Sequence, residues 1–224
     1  MRINKRWLMV VLFAMAMAWV ESACVVYLRT LIGRIDPWQV QPLPHSANFG
    51  TTEVTREAAT LVMLAAVGWL AGATLRLRLA YTLLAFGVWD IFYYVFLKII
   101  CGWPRTLLDW DVLFLIPLPW WGPVLAPMLI AALMAAWGTL VVAGASQGQP
   151  PRSSWRVWTL AAAGATLALG VFMADALRVA GDGPEAVRHV LPAGFDWPLF
   201  GVAWLAMAAP VAGAARQWRG RARP

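Results

Sequence analysis

The chain has 224 residues, 61% of them hydrophobic and 13% charged, with a mean hydropathy of +0.66. That is far more apolar than a soluble globular domain, and a lipid bilayer is the natural solvent for it. The net charge of +7 raises nucleic acid as a partner, but the basic residues follow the connections between apolar runs and form no Lys/Arg stripe with interleaved aromatics, so no nucleic-acid partner is expected.

Six apolar segments follow in chain order: roughly Trp7 to Leu31, Ala58 to Leu75, Leu79 to Ile100, Pro123 to Val142, Val157 to Leu177 and Trp197 to Ala215. Each is close to the twenty or so residues a helix needs to cross a hydrocarbon core. Stretches such as LVMLAAVGWLAGA are apolar on every face, unlike the one-sided helices of soluble proteins. The expected fold is all-α: a polytopic transmembrane helical bundle of about six spans in a single integral domain.

The first segment has a competing reading as a signal peptide, because Arg2, Lys5 and Arg6 precede it and Ala16-Met17-Ala18 resembles a cleavage site. Ser22-Ala23-Cys24 also resembles the end of a lipoprotein signal, but Glu21 stands where that motif needs an aliphatic residue. Apolar sequence continues through Val25, Val26 and Leu28, which suits a span better than a mature N-terminus.

Orientation follows from Lys and Arg, which accumulate in cytoplasmic connections. With the N-terminus inside, Arg2, Lys5, Arg6, Arg76, Arg78, Arg152, Arg156, Arg216, Arg219, Arg221 and Arg223 are cytoplasmic, eleven of the eighteen basic residues. All eleven acids then lie outside or in the membrane. The expected location is a bacterial inner membrane, with both termini cytoplasmic. The lipid bilayer is then one partner, and other membrane subunits or a second copy of the chain are further ones.

The outer connections carry more character. Gly33 to Thr52 contains Asp36-Pro37-Trp38 and reads as an ordered excursion or a flexible cap. Cys101 to Gly122 is denser, with Trp103-Pro104, Asp109-Trp110-Asp111, Pro117 and Pro119. Proline removes a backbone donor and breaks helices. Residues 111–121, and Leu113 to Trp121 above all, are therefore expected to form an interfacial or re-entrant piece and no full span. Trp38, Trp103, Trp110, Trp120, Trp121 and Trp197 gather near the outer boundary and read as an interface belt in preference to a ligand site.

Two acids stand near mid-membrane. Glu21 is thirteen residues before Arg34, roughly 20 Å from that helix end, and Asp90 is equally central in its segment. A charge at that depth costs roughly 2.5–3.5 kcal/mol on insertion scales, so such residues face the bundle interior or water. Each is followed eight residues later by a base on the same helix face, Glu21 by Arg29 and Asp90 by Lys98, with Tyr94 between the latter two. Glu53, Arg56, Glu57 and Thr60 share another face, and Asp175 with Arg178 forms an i, i+3 pair.

These stripes predict a polar cavity opening away from the cytoplasm, with Glu21 and Asp90 at its floor, facing each other or sharing one wet space. Glu57, Arg56, Tyr94, Lys98, Arg29, Asp111 and Asp175 would stand nearer its mouth. For those rim residues, helix-to-helix glue is the preferred role.

Cys24 and Cys101 predict packing residues and no disulfide, and His45 and His189, in separate loops, predict no metal site. No G-x-S-x-G, H-E-x-x-H or phosphate-cradling glycine loop is present, and the sequence specifies no cofactor. The leading expectation is a non-enzymatic accessory or partner-binding membrane subunit. A small transporter or proton/cation-linked protein is the first alternative. A membrane enzyme acting on a lipid or extracytoplasmic substrate, through a carboxylate tuned by burial with Lys98 or Tyr94 as its partner, is the second.

Overall fold

In a computed structural model the described residues are 4–33, 35–37 and 47–221, and they build a helical bundle. Six helices are long and apolar enough to cross a bilayer. They are α1 (Lys5–Leu31), α2 (Ala47–Ala71), α3 (Leu75–Cys101), α4 (Leu125–Ser146), α5 (Trp155–Phe172) and α8 (Trp197–Arg221). The short α6 (Ala174–Val179) and α7 (Pro184–His189) lie between α5 and α8, joined by a 3-10 turn. Trp38, His45 and Ser46, and most of the first outer connection, lie outside the described residues.

Local chemistry sets the helix ends. The Asn4 side chain accepts from the Trp7 amide at 2.7 Å, and Thr74 accepts from Leu77 at 3.3 Å, each relieving an orphan donor of a first turn. At the other end of α3, Gly102 takes the left-handed conformation (φ 75°) and its amide closes on Lys98. The fifth apolar run, expected to continue to Leu177, breaks at Met173, and its last turns become α6. Helix α2 starts well before Ala58, and one polar face of this part turns inward, with Glu57 and Thr60 buried and Glu53 and Arg56 half-buried.

Helix α3 is the hub. Helices α1, α2 and α4 all pack on it, while α8 joins α4 and α5. Small residues let the axes approach: a methyl added at Gly87 would strike the Ala131 carbonyl oxygen, and one at Gly138 the Ala80 carbonyl oxygen. The inner core joins Val10, Ala14 and Met17 to Ala80, Tyr81, Leu84, Trp137 and Val141. Large apolar side chains such as Leu31 and Leu70, each 84% exposed, cover the outside. In water such a surface is a liability, and against lipid it is the normal state.

The helices alternate in direction, so one end gathers the N-terminus, the turn at 72–74, the connection at 147–154 and the C-terminal turns of α8. Arg6 donates to the Ala71 carbonyl at 3.4 Å, and Gln217 to that of Arg152 at 2.7 Å. Lys5, Arg6, Arg76, Arg78, Arg152 and Arg156 lie here, and none of these segments contains Asp or Glu.

The opposite end holds the only strands among the described residues. β1 (Trp110–Phe114) and β2 (Trp120–Pro123) form an antiparallel hairpin, with Asp111 opposite Gly122 and Val112 opposite Trp121. The hairpin inserts among the helices. Phe114 stacks on Phe86 at 6.4 Å, and Phe86 lies fifteen residues before Cys101, roughly 22 Å down α3. Non-helical backbone is tolerated at such depth only where protein or a cavity satisfies it. Near the tip, the Glu57 carboxylate does so by accepting from the Leu115 amide at 2.9 Å.

Candidate functional site

Between the hairpin and α1–α4 lies a chamber of about 220 Å³. Helix α1 contributes Glu21; α2 contributes Arg56, Glu57 and Thr60; α3 contributes Phe86, Trp89, Asp90, Tyr93 and Tyr94. The hairpin adds Val112, Leu113, Phe114 and Trp120, α4 adds Pro127, Ile130, Ala131 and Met134, and Phe172 of α5 completes the lining. Glu21 and Asp90 therefore share one cavity.

They are held very differently. Glu21 forms an ion pair with Arg56, and its second oxygen accepts from the Thr60 hydroxyl at 3.2 Å. Arg56 also reaches Glu53 at 2.9 Å, so one guanidinium lies between two carboxylates. The spacing of Glu53, Arg56, Glu57 and Thr60 at i, i+3, i+4 and i+7 makes this possible, since all four share one face of α2, and the last three line the chamber. Asp90, by contrast, is 7% exposed, and its Oδ2 has no hydrogen-bond partner among the described residues. The indole N–H groups of Trp89 and Trp120, on the chamber wall, are likewise without acceptors.

A second buried ion pair stands beside the chamber and ties the hairpin to α1. Arg29 meets Asp111 at 2.9 Å, the side chains being 11% and 1% exposed. The guanidinium lies over the Trp103 ring, 4.4 Å from its centroid, which adds cation–π attraction. Asp111 also accepts from the Val112 amide at 2.9 Å and from the Tyr94 hydroxyl. Tyr94 thus joins this pair to the chamber it lines. A third link, from the Ser22 hydroxyl to the Tyr93 carbonyl at 3.0 Å, fixes α1 against α3 at the depth of Glu21.

Two expected members of the site are elsewhere. Lys98 turns away from Asp90, and its exposed ammonium caps the end of α3 by donating to the Gly102 and Arg105 carbonyls at 3.2 and 3.3 Å. The free carbonyls of a helix end attract a cation more cheaply than a buried carboxylate two turns back. Asp175 is buried but bonds Arg178 at 2.9 Å and the Ala193 amide at 3.3 Å, which anchors the connection before α8. Nor is Arg29 the partner of Glu21. Eight residues place both on one face, but the hairpin brings Asp111 to Arg29 while α2 brings Arg56 to Glu21.

The belt reading of the tryptophans needs correction as well. Trp103 and Trp121 are 3% and 7% exposed, inside the protein, and Trp120 lines the chamber. They are buried because the hairpin folds inward and carries its aromatics with it. Sequence reasoning also missed Phe86, Trp89 and Tyr93. Their i, i+3, i+7 spacing, around Asp90, marked one face of α3 and was the available signal.

Just above the hairpin, Asp109 organises the turn that leads into it. It accepts from the Arg105 amide and the Thr106 hydroxyl, each at 2.7 Å. Partial burial works to raise its carboxyl, but those hydrogen bonds outweigh it and hold the group below the ordinary aspartate range.

Among the described residues no group of three or more His, Cys, Asp or Glu side chains is arranged to hold a metal ion. The fold and the site together define a membrane-type helical bundle with an acid-rich chamber closed by an inserted β-hairpin. Comparison with protein-family models, with curated proteins and with solved structures finds no match to this chain.

Proposed function

We propose that this is a multi-pass protein of a bacterial inner membrane, with both termini cytoplasmic, that takes a small cation from the extracytoplasmic side into its chamber as part of cation-linked transport. The basic end supports the orientation, since Lys and Arg mark the cytoplasmic face. One observation carries the function. Three carboxylates, Glu21, Glu57 and Asp90, line the chamber with Arg56 as the one cation among its lining residues, and Asp90 has a buried oxygen with no partner. An ionised carboxylate in that setting is costly until a positive group or a proton joins it.

Purified protein in a maltoside detergent tests the binding. Sodium, potassium or an organic ammonium chloride, at constant ionic strength, should raise the unfolding temperature of the wild type. The Asp90→Asn variant should express and insert normally and lose that response. If no cation and no change of pH distinguishes wild type from Asp90→Asn, cation binding is wrong.

Cysteine labelling tests the orientation. Positions 76 and 149 should be protected from an impermeant reagent in intact cells, and position 183 should react. Flux in proteoliposomes then separates transport from the two other roles. A stoichiometric copurifying partner without flux points to the accessory or partner-binding subunit, and turnover of a bound lipid points to an enzyme.

A further inference from the structure

We infer that the cation is an organic ammonium group, held against an aromatic wall with Asp90 as its counter-ion; this rests on the cation-binding reading above. The wall is continuous across three elements. Tyr93 stacks near Trp89 at 6.0 Å, Trp89 meets Phe86 edge-on at 5.4 Å, Phe86 stacks on Phe114 at 6.4 Å, and Phe114 lies 5.3 Å from Trp120. All five rings line the chamber. Such faces attract a cation through the ring quadrupole, most strongly from Trp and most strongly when the cation sheds its water.

A compact inorganic ion is poorly served here. It gives up a tight hydration shell and needs several oxygens in return, whereas Asp90 offers one unpartnered oxygen and the Glu21 and Glu57 carboxylates are already engaged by Arg56, Thr60 and the Leu115 amide. A methylated or alkylated ammonium is weakly hydrated, so it gives up little and is attracted to both the Asp90 oxygen and the rings. The fit by size agrees. About 220 Å³ holds roughly seven water-sized groups, enough for an ammonium head and a short arm. Ile130, Ala131 and Met134 of α4 offer an apolar surface to that arm.

The head can arrive free or on a lipid, so the test has two arms. Calorimetry of the full chain in maltoside with tetramethylammonium chloride should show saturable binding at least about tenfold tighter than potassium chloride. Asp90→Asn should abolish it. Trp120→Leu should weaken it about tenfold, and Trp120→Phe should recover most of the loss. The tryptophan pair keeps the test valid if the Asp90 variant fails to fold.

In the second arm, lysophosphatidylcholine that displaces tetramethylammonium assigns a lipid-borne head, and failure to displace it assigns a free amine. Potassium or sodium binding as tightly as tetramethylammonium overturns the ammonium inference and leaves the cation-binding reading standing. If no cation binds, both fall.

Discussion

Helices α1–α3 with the hairpin and the pair α5–α8 solve the same problem, packing in a low-dielectric environment, in opposite ways. The α5–α8 contact is apolar, with Ala168 and Phe172 packed against Phe200 and Ala203, and a methyl at Gly164 would lie 2.6 Å from the Ala203 carbonyl oxygen. Backbone approach and dispersion hold that pair together. The first region adds buried charges to its apolar core: Arg56 to Glu21, Arg29 to Asp111, and Glu57 to the Leu115 amide. Charges at depth need complete enclosure, and a region that carries so many is organised around a site. The apolar pair acts as scaffold.

The largest effect expected from this contrast comes from breaking one buried charge pair. Arg29→Met should destabilise the protein by about 3–5 kcal/mol, because it leaves the buried Asp111 carboxyl without its cation. Replacing both, as Arg29→Met with Asp111→Leu, should recover most of that. Unfolding in detergent, followed by circular dichroism, measures both. A loss below about 1 kcal/mol would mean that the hairpin is held by its aromatic contacts and that the charge pair is incidental.

Overpacking the scaffold sharpens the same comparison. Gly164→Leu should cost about 1–3 kcal/mol by forcing α5 from α8, yet the cation response of the chamber should persist, since Gly164 is not among its lining residues. Loss of that response in a folded variant would show that the two regions are coupled.

The smallest effect is a pH dependence at Asp109. Its carboxyl is held below the ordinary aspartate range, so the unfolded chain binds the proton more readily than the folded one. The stability this adds is complete above the ordinary aspartate value and is lost as pH falls through the lowered one. The stability gap between wild type and Asp109→Asn should therefore stay constant from about pH 7 to pH 5 and shrink as pH falls below the ordinary aspartate value of about 3.9. A gap that does not change with pH would assign the turn to backbone geometry alone.

The six long apolar helices, the basic end and the mid-helix positions of Glu21 and Asp90 were legible in the sequence, because length, hydropathy and helical spacing are local properties of the chain. So was the inward face of α2, where Glu53, Arg56, Glu57 and Thr60 recur with the helical period. Which charge meets which was not legible. A helical face says that Glu21 and Arg29 point the same way, and only packing decides that Arg56 reaches the first and Asp111 the second. The fate of the Trp- and Pro-rich run from Trp110 to Pro123 was equally a tertiary matter. Its prolines argued against a full span, but an inserted hairpin is stable there only because Glu57, Arg29 and the aromatic wall satisfy and enclose it. Lys98 shows the converse: matched in spacing to the site, it bonds the Gly102 and Arg105 carbonyls, which no periodicity describes, while Asp175 keeps its i, i+3 pair with Arg178 away from the chamber.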